Sequence, residues 1–180
     1  MLDFRHLDEA FRKFGRVVIT QSRANLSRQK HNDTKVLYKS LGYSSRASKR
    51  SFEFDFRMEY YGMFLDQGVN GKVKKWGSPY TFKRQPPAEV FEKWAKRKGI
   101  KPRDRKTGKF ISYKSLSYLI ARAKLRDGQK PTHFFSKPFE RHYNKLEKNM
   151  ETYFAMDIED FIKFTTKDIL KWFIQEVLTT

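Results

Sequence analysis

Between Asp3 and about Gln29, Leu7, Ala10, Phe11, Phe14, Val17, Val18 and Leu26 recur at three- and four-residue spacing, while Arg5, Asp8, Glu9, Arg12, Lys13, Arg16 and Arg23 fill the other positions. That period predicts an amphipathic helix. Gly15 in its middle costs about 1 kcal/mol relative to alanine, so it points to a close packing contact or a bend. Lys30 to Asp33 is a polar break. Val36 to Tyr43 is a short apolar segment of undecided type, and SSRASKR after it reads as a loop.

The period then changes to two. Phe52, Phe54, Phe56, Met58 and Tyr60 fall on one side, and Ser51, Glu53, Asp55, Arg57 and Glu59 on the other, which predicts the central strand of a small sheet. Tyr61 to Asp66 allows one helical turn before Gly68 and Gly71 break the pattern. Val73 to Phe82, interrupted by Gly77 and Pro79, reads as a ragged edge or a loop. Pro86-Pro87 opens a helix carrying Val90, Phe91, Trp94 and Ala95 on one face, and Gly99 closes it. Beyond the basic loop KPRDRKTGK, Ser112 to about Arg126 predicts a helix through Leu116, Leu119, Ile120 and Ala123, ended by Asp127-Gly128. His133 to Phe139 reads as extended or turning, held by Pro138. From Phe139 on, Tyr143, Leu146, Met150, Tyr153, Phe154, Ile158 and Phe161 keep helical spacing, and Thr165 with Asp168 resembles a capping box that restarts a last helix through Ile169, Phe173 and Val177.

These elements give an α+β fold: a long N-terminal helix packed on a small antiparallel sheet, with a helical basic insertion and a helical C-terminal extension. The expected division is a domain over 1–146, with the insertion at 69–130, and an extension over 147–180.

Charge changes the picture most. The chain of 180 residues has 39 Lys plus Arg against 20 Asp plus Glu, a net +19, beyond what solubility asks for, so a polyanionic partner is expected. The surplus is uneven: Val69 to Lys137 holds 20 basic and 4 acidic residues, whereas Glu151 to Thr180 holds 3 basic and 6 acidic ones. No cysteine is present, which excludes disulfides, thiolate metal sites and cysteine nucleophiles. The first residues have no apolar signal region, and no run of 18 apolar residues occurs, so no membrane span is expected and synthesis in a cytoplasm is.

Candidate chemistry narrows quickly. The four histidines, His6, His31, His133 and His142, lie far apart without HExxH spacing. Glu53 and Asp55 share a strand face, as two metal-binding carboxylates of a nuclease would, but no lysine follows two residues after the second acid; pairing with a cross-strand cation is the ordinary role. DQGVNG (66–71) lacks the Lys-Ser/Thr of a phosphate-cradling loop, so its glycines read as turn residues. FEKWAKRKG and SYKSLSYLIARAKLR combine aromatics with cations. Phe91, Trp94, Tyr118 and Leu119 are expected in the core, with Lys93, Lys96, Arg97, Lys98, Arg122 and Lys124 on a wet basic face suited to sequence-blind phosphate contact.

The helix, the strand running into EYYGMFLDQGVNG, and the later PTHFFSKPFERHYNKL together resemble the tail-completion or neck proteins of tailed bacteriophages. The matching positions are Tyr60, Tyr61, Phe64, Asp66 and Gly68, then Pro131, Phe134, Phe135 and Pro138. The resemblance covers roughly Leu2 to Leu146, and the segment between the two motifs is similar to a helical insertion found in phage versions. It implies a virion protein at the head-tail junction, without enzymatic activity or cofactor. Such proteins form homo-oligomeric rings of six or twelve copies between the portal or its adaptor and the tail, around the DNA exit channel.

On that reading the residues facing DNA or an acidic neighbour are Lys72, Lys74, Lys75, Lys83, Arg84, Lys96, Arg97, Lys98, Lys101, Arg103, Arg105, Lys106 and Lys109. The motif residues above serve turn geometry and subunit contact. Phe161, Ile169, Trp172 and Phe173 form a C-terminal docking segment, whose removal after Thr165 is expected to impair assembly more than folding. The alternatives are a nonspecific nucleic-acid-binding protein and, behind it, a metal-dependent nuclease using Glu53 and Asp55.

Overall fold

The computed structural model describes residues 4–47, 52–104 and 106–178, and is a mixed α+β structure. In chain order the elements are α1 (Arg5–Arg28), α2 (Val36–Ser40), β1 (Gly42–Ala47), β2 (Phe52–Arg57), α3 (Tyr61–Gln67), α4 (Ala88–Arg97), α5 (Tyr113–Asp127) and α6 (Ser136–Leu178). They fall into two compact units, Met1–Glu59 with Phe134–Thr180, and Tyr60–His133.

In the first unit, α1 packs against both the sheet and α6 and buries Ala10, Phe14, Val18, Ile19 and Leu26. Phe14 is the hub, its ring 5.7 Å from those of Phe54, Phe56 and Phe139. Aromatic rings at such separations add edge-to-face attraction to the burial of apolar area. Gly15 is a packing contact rather than a bend. A methyl group there would lie 2.6 Å from the Tyr43 ring and 2.8 Å from that of Phe54, so the missing side chain is what lets the sheet approach the helix. Gly15→Ala gains helix propensity but forces the rings apart, and the second effect is larger. We expect a loss of about 1–2 kcal/mol in urea denaturation; a gain in stability would show that the sheet shifts freely.

The sheet has two antiparallel strands with Tyr43 opposite Phe56, Ser45 opposite Phe54 and Arg46 opposite Glu53. The segment Ser44–Ala47, expected as loop, is therefore strand, and β2 is one of a pair rather than a central strand. Its polar composition hides the pairing, because β1 is held by backbone hydrogen bonds and by the Ser45 hydroxyl, which donates to Asp8 Oδ1 at 2.6 Å. β2 also ends at Arg57: Met58 follows it, and Tyr60 is exposed where α3 begins.

The C-terminal segment departs further from expectation. Pro138 lies in the first turn of α6, where its missing N–H would have no intrahelical acceptor, so it opens the helix instead of holding an extended segment. Thr165 does not restart a helix. Its hydroxyl donates to Phe161 O at 2.9 Å within one continuous helix of 43 residues, about 65 Å long, that runs without interruption through Leu146 and Glu147. No helix among the described residues is long and apolar enough to cross a membrane.

Candidate functional site

A helix leaves its last four carbonyls without intrahelical donors. In α5 those of Lys124, Leu125, Arg126 and Asp127 all find partners. Gly128 N donates to Lys124 O (2.9 Å), Lys72 N to Leu125 O (2.8 Å), Val73 N to Arg126 O (2.9 Å) and the Trp76 indole to Asp127 O (2.7 Å). The donors come mainly from the tract that follows DQGVNG. The backbone N–H groups of Lys72 and Val73 are thus spent on α5 and do not form a phosphate cradle.

Two backbones must come very close for this to happen. Val69 and Gln129 exchange backbone hydrogen bonds of 2.8 and 2.7 Å. Gly68 (φ +75°) and Gly128 (φ +73°) adopt conformations that side chains disfavour, and a methyl on Gly68 would sit 2.6 Å from Gln129 O. Asn70 organises the turn: its Oδ1 accepts from Trp76 N at 2.7 Å and its Nδ2 donates to Ser78 O at 2.6 Å. Asn70 and Trp76 carry this geometry and were not singled out by the sequence pattern; an asparagine between glycines is the one local signal for it.

The two halves of the family-like motif within this unit meet here. Asp66 is buried, and its carbonyl accepts from Thr132 N and His133 N, while Gly68 abuts Pro131. Phe64 stands edge-on between Tyr60 (5.2 Å) and Tyr80 (4.6 Å), with Tyr60 and Tyr61 exposed. In the other unit, Phe134 is fully buried, Pro138 is buried, and Phe135 packs 5.2 Å from Phe56.

The expected cationic residues separate into three groups. Lys72, Lys74 and Lys75 are exposed at the C-terminal, electronegative end of α5, with Lys75 Nζ donating to Gly71 O at 2.9 Å, so part of their role is local. Lys83 and Arg84 precede α4, and Lys96, Arg97 and Lys98 lie at its end, so most of a helix of ten residues, about 15 Å long, separates the two sets. Lys96 is also tied down, 2.7 Å from Glu92 and over the Tyr113 ring.

Directly after α4 a small hairpin carries Lys101, Arg103, Lys106 and Lys109, all exposed; Arg105 lies outside the described residues. Arg103 and Phe110 form its cross-strand bridge. Its tip is tied by Asp104, whose Oδ1 accepts from the backbone of Thr107 (2.7 Å) and Lys106 (2.9 Å) and from the Thr107 hydroxyl (3.0 Å). These bonds, the Thr107 backbone first among them, hold the Asp104 carboxyl below its usual range.

On α5 the buried stripe is Ser117 and Ala121, with Leu116, Ile120 and Ala123 partly covered. Tyr118 and Leu119, expected in the core, are about half exposed, at 52% and 51%. Phe91 and Trp94 are partly buried around the fully buried Ala95. Lys124 is not on the wet face: burial holds its ammonium below the ordinary range, and its Nζ meets Gln129 Oε1. α4 and α5 pack against each other, each burying small residues, Ala95 on α4 and Ser117 and Ala121 on α5.

Glu53 is exposed on β2 opposite Arg46, the cross-strand placement expected for an ordinary charge pair, whereas the exposed Asp55 stands opposite the uncharged Ser44. Among the described residues no group of three or more His, Asp or Glu is placed to hold a metal ion. At the C-terminus Phe161 is partly buried and Ile169 exposed, with Ile162 and Phe164 exposed nearby; the side chains of Trp172 and Phe173 lie outside the described residues. No protein-family model, no curated protein and no solved structure matches this chain.

Proposed function

We propose that this chain is a structural subunit of the head-tail junction of a tailed phage. It assembles into a ring of six or twelve copies between the portal or its adaptor and the tail. The observation that carries the reading is the segregation of charge: Tyr60–His133 holds 19 basic and 5 acidic residues, a net +14 of the chain's +19, in one compact unit. A ring repeats the same surface around one axis, so this surplus is multiplied by the copy number. Duplex DNA, with one negative charge per about 1.7 Å of its axis, is the polyanion that screens such a lumen without sequence preference. The ring itself rests on the sequence resemblance, whose motif residues Asp66, Gly68 and Pro131 lie together in this unit.

Electron microscopy and native mass spectrometry of the purified chain test the proposal. Rings of six or twelve copies that join portal or tail components are the expected result; a monomer that binds DNA with steep salt dependence and joins no particle overturns it in favour of a free nucleic-acid-binding protein. The hydrogen bonds between α1 and α6 reach Asp160, so a chain ending at Thr165 keeps them. We expect that chain to fold with its first unit intact and to fail in particle assembly; normal incorporation would remove the docking role of the C-terminal segment.

A further inference from the structure

The hairpin between Pro102 and Ile111 carries a feature that a screening surface does not need. Phe110 is 63% exposed, and the Arg103 guanidinium lies 4.2 Å from its ring centroid. The hairpin is closed by hydrogen bonds from Asp104 N to Lys109 O (2.8 Å) and from Ile111 N to Pro102 O (3.1 Å), so the ring is held on a short, tied scaffold. Arg103 is itself fixed by a bond from Nη1 to Gly108 O at 3.3 Å. Lys101, Lys106 and Lys109 are exposed on or next to the same hairpin, and no ion pair among the described residues engages them. The one acid of the hairpin, Asp104, is occupied by the turn.

We propose that this hairpin is a binding site for single-stranded nucleic acid, in which Phe110 stacks on an unpaired base while Lys101, Lys106 and Lys109 contact the flanking phosphates. With the Arg103 guanidinium over one face of Phe110, the exposed remainder of the ring and the guanidinium plane offer every base the same stacking surface, and the exposed hairpin lysines follow the backbone without reading sequence. A duplex hides its base faces, and an acidic protein surface offers carboxylates but no base to stack on. Charge alone would serve either of those partners. The exposed ring, fixed in place, is what selects a single strand. This inference rests on the polyanion-facing role proposed above for the basic unit, goes beyond it by giving the hairpin a single strand where the surrounding charge screens a duplex, and does not depend on ring formation.

Fluorescence anisotropy of the full-length chain with a labelled oligothymidylate of about 16 nucleotides, the corresponding duplex and polyglutamate distinguishes the partners. Phe110→Ala is expected to weaken single-strand binding about tenfold, with duplex and polyglutamate binding changed less than about twofold, and Phe110→Tyr to restore it. Lys106→Ala and Lys109→Ala should each lower the slope of log affinity against log salt by about 0.7. Equal losses on all three polyanions, or no loss on the single strand, overturn the proposal, and a loss confined to polyglutamate assigns the hairpin to an acidic protein instead. Circular dichroism of each variant separates these outcomes from misfolding. Particle assembly is read separately, so either reading can fail while the other stands.

Discussion

Replacing Gly128 with alanine is expected to unfold the unit Tyr60–His133 while leaving the other unit folded. At φ +73° and ψ −159° the residue occupies a region that only glycine enters without strain, at a cost for other residues of about 1–3 kcal/mol. A methyl group there would also meet backbone on the facing strand, including Gly71 N at 2.5 Å and the Asn70 carbonyl carbon at 2.9 Å. Backbone held by its own hydrogen bonds cannot swing away as the end of a side chain can, so overpacking adds a comparable penalty and the total is about 3–5 kcal/mol. That matches much of what a unit of this size has, about 4–11 kcal/mol. The loss also propagates: parting the two backbones frees the α5 carbonyls that Lys72 N, Val73 N and the Trp76 indole cap. Hydrogen exchange should show lost protection across α4, α5 and residues 69–82, with α1 still protected. Unchanged protection in α5 would mean that the caps are dispensable.

The second large effect falls at Asp157, which is 1% exposed. Its carboxylate accepts His6 N at 2.8 Å and Leu7 N at 3.1 Å, taking the first free N–H groups of α1 from 150 residues away. α1 has no side-chain cap of its own, since Phe4 stands at the N-cap position. Asp157→Ala leaves two donors without this partner and removes a negative charge from the positive end of the helix, a loss of about 3 kcal/mol. Asp157→Asn keeps an acceptor but not the charge, and should cost about half of that. Thermal unfolding is expected to fall by roughly 10 °C for the alanine variant. A midpoint within about 2 °C of the parent would show that water caps α1 equally well.

Between these two sites the division of the basic surface follows from the same local physics. Lys72, Lys74 and Lys75 sit where helix carbonyls already favour cations, so neutralising them should affect the stability of α5 as well as any partner. Lys101, Lys106 and Lys109 stand on a hairpin tied by Asp104 and Arg103, so their charge is free to serve a ligand. Composition cannot make that distinction, because the two sets are equally basic in the sequence.

What the sequence determined by itself is whatever is written in neighbouring residues. The three- and four-residue spacing from Leu7 to Leu26 placed α1, the alternation through Phe54 and Phe56 placed β2, and the residues at the ends of α4 and α5 marked their limits, because helix and strand periods and caps depend on local chain geometry. The α+β class and the concentration of charge in the middle of the chain were legible for the same reason. The tertiary structure alone decided that polar Ser44–Ala47 is a strand, that Gly15 is a contact for Tyr43 and Phe54, that Tyr118 and Leu119 face outward, and that Pro138 and Thr165 lie within one helix. It also decided that the tract after DQGVNG caps α5 and that Asp157 caps α1. Apart from the continuity of α6, where Thr165 bonds only four residues back and the local signal was ambiguous, each of these depends on a partner far away in the chain, and the backbone groups and small residues that make such contacts have no periodic signature of their own.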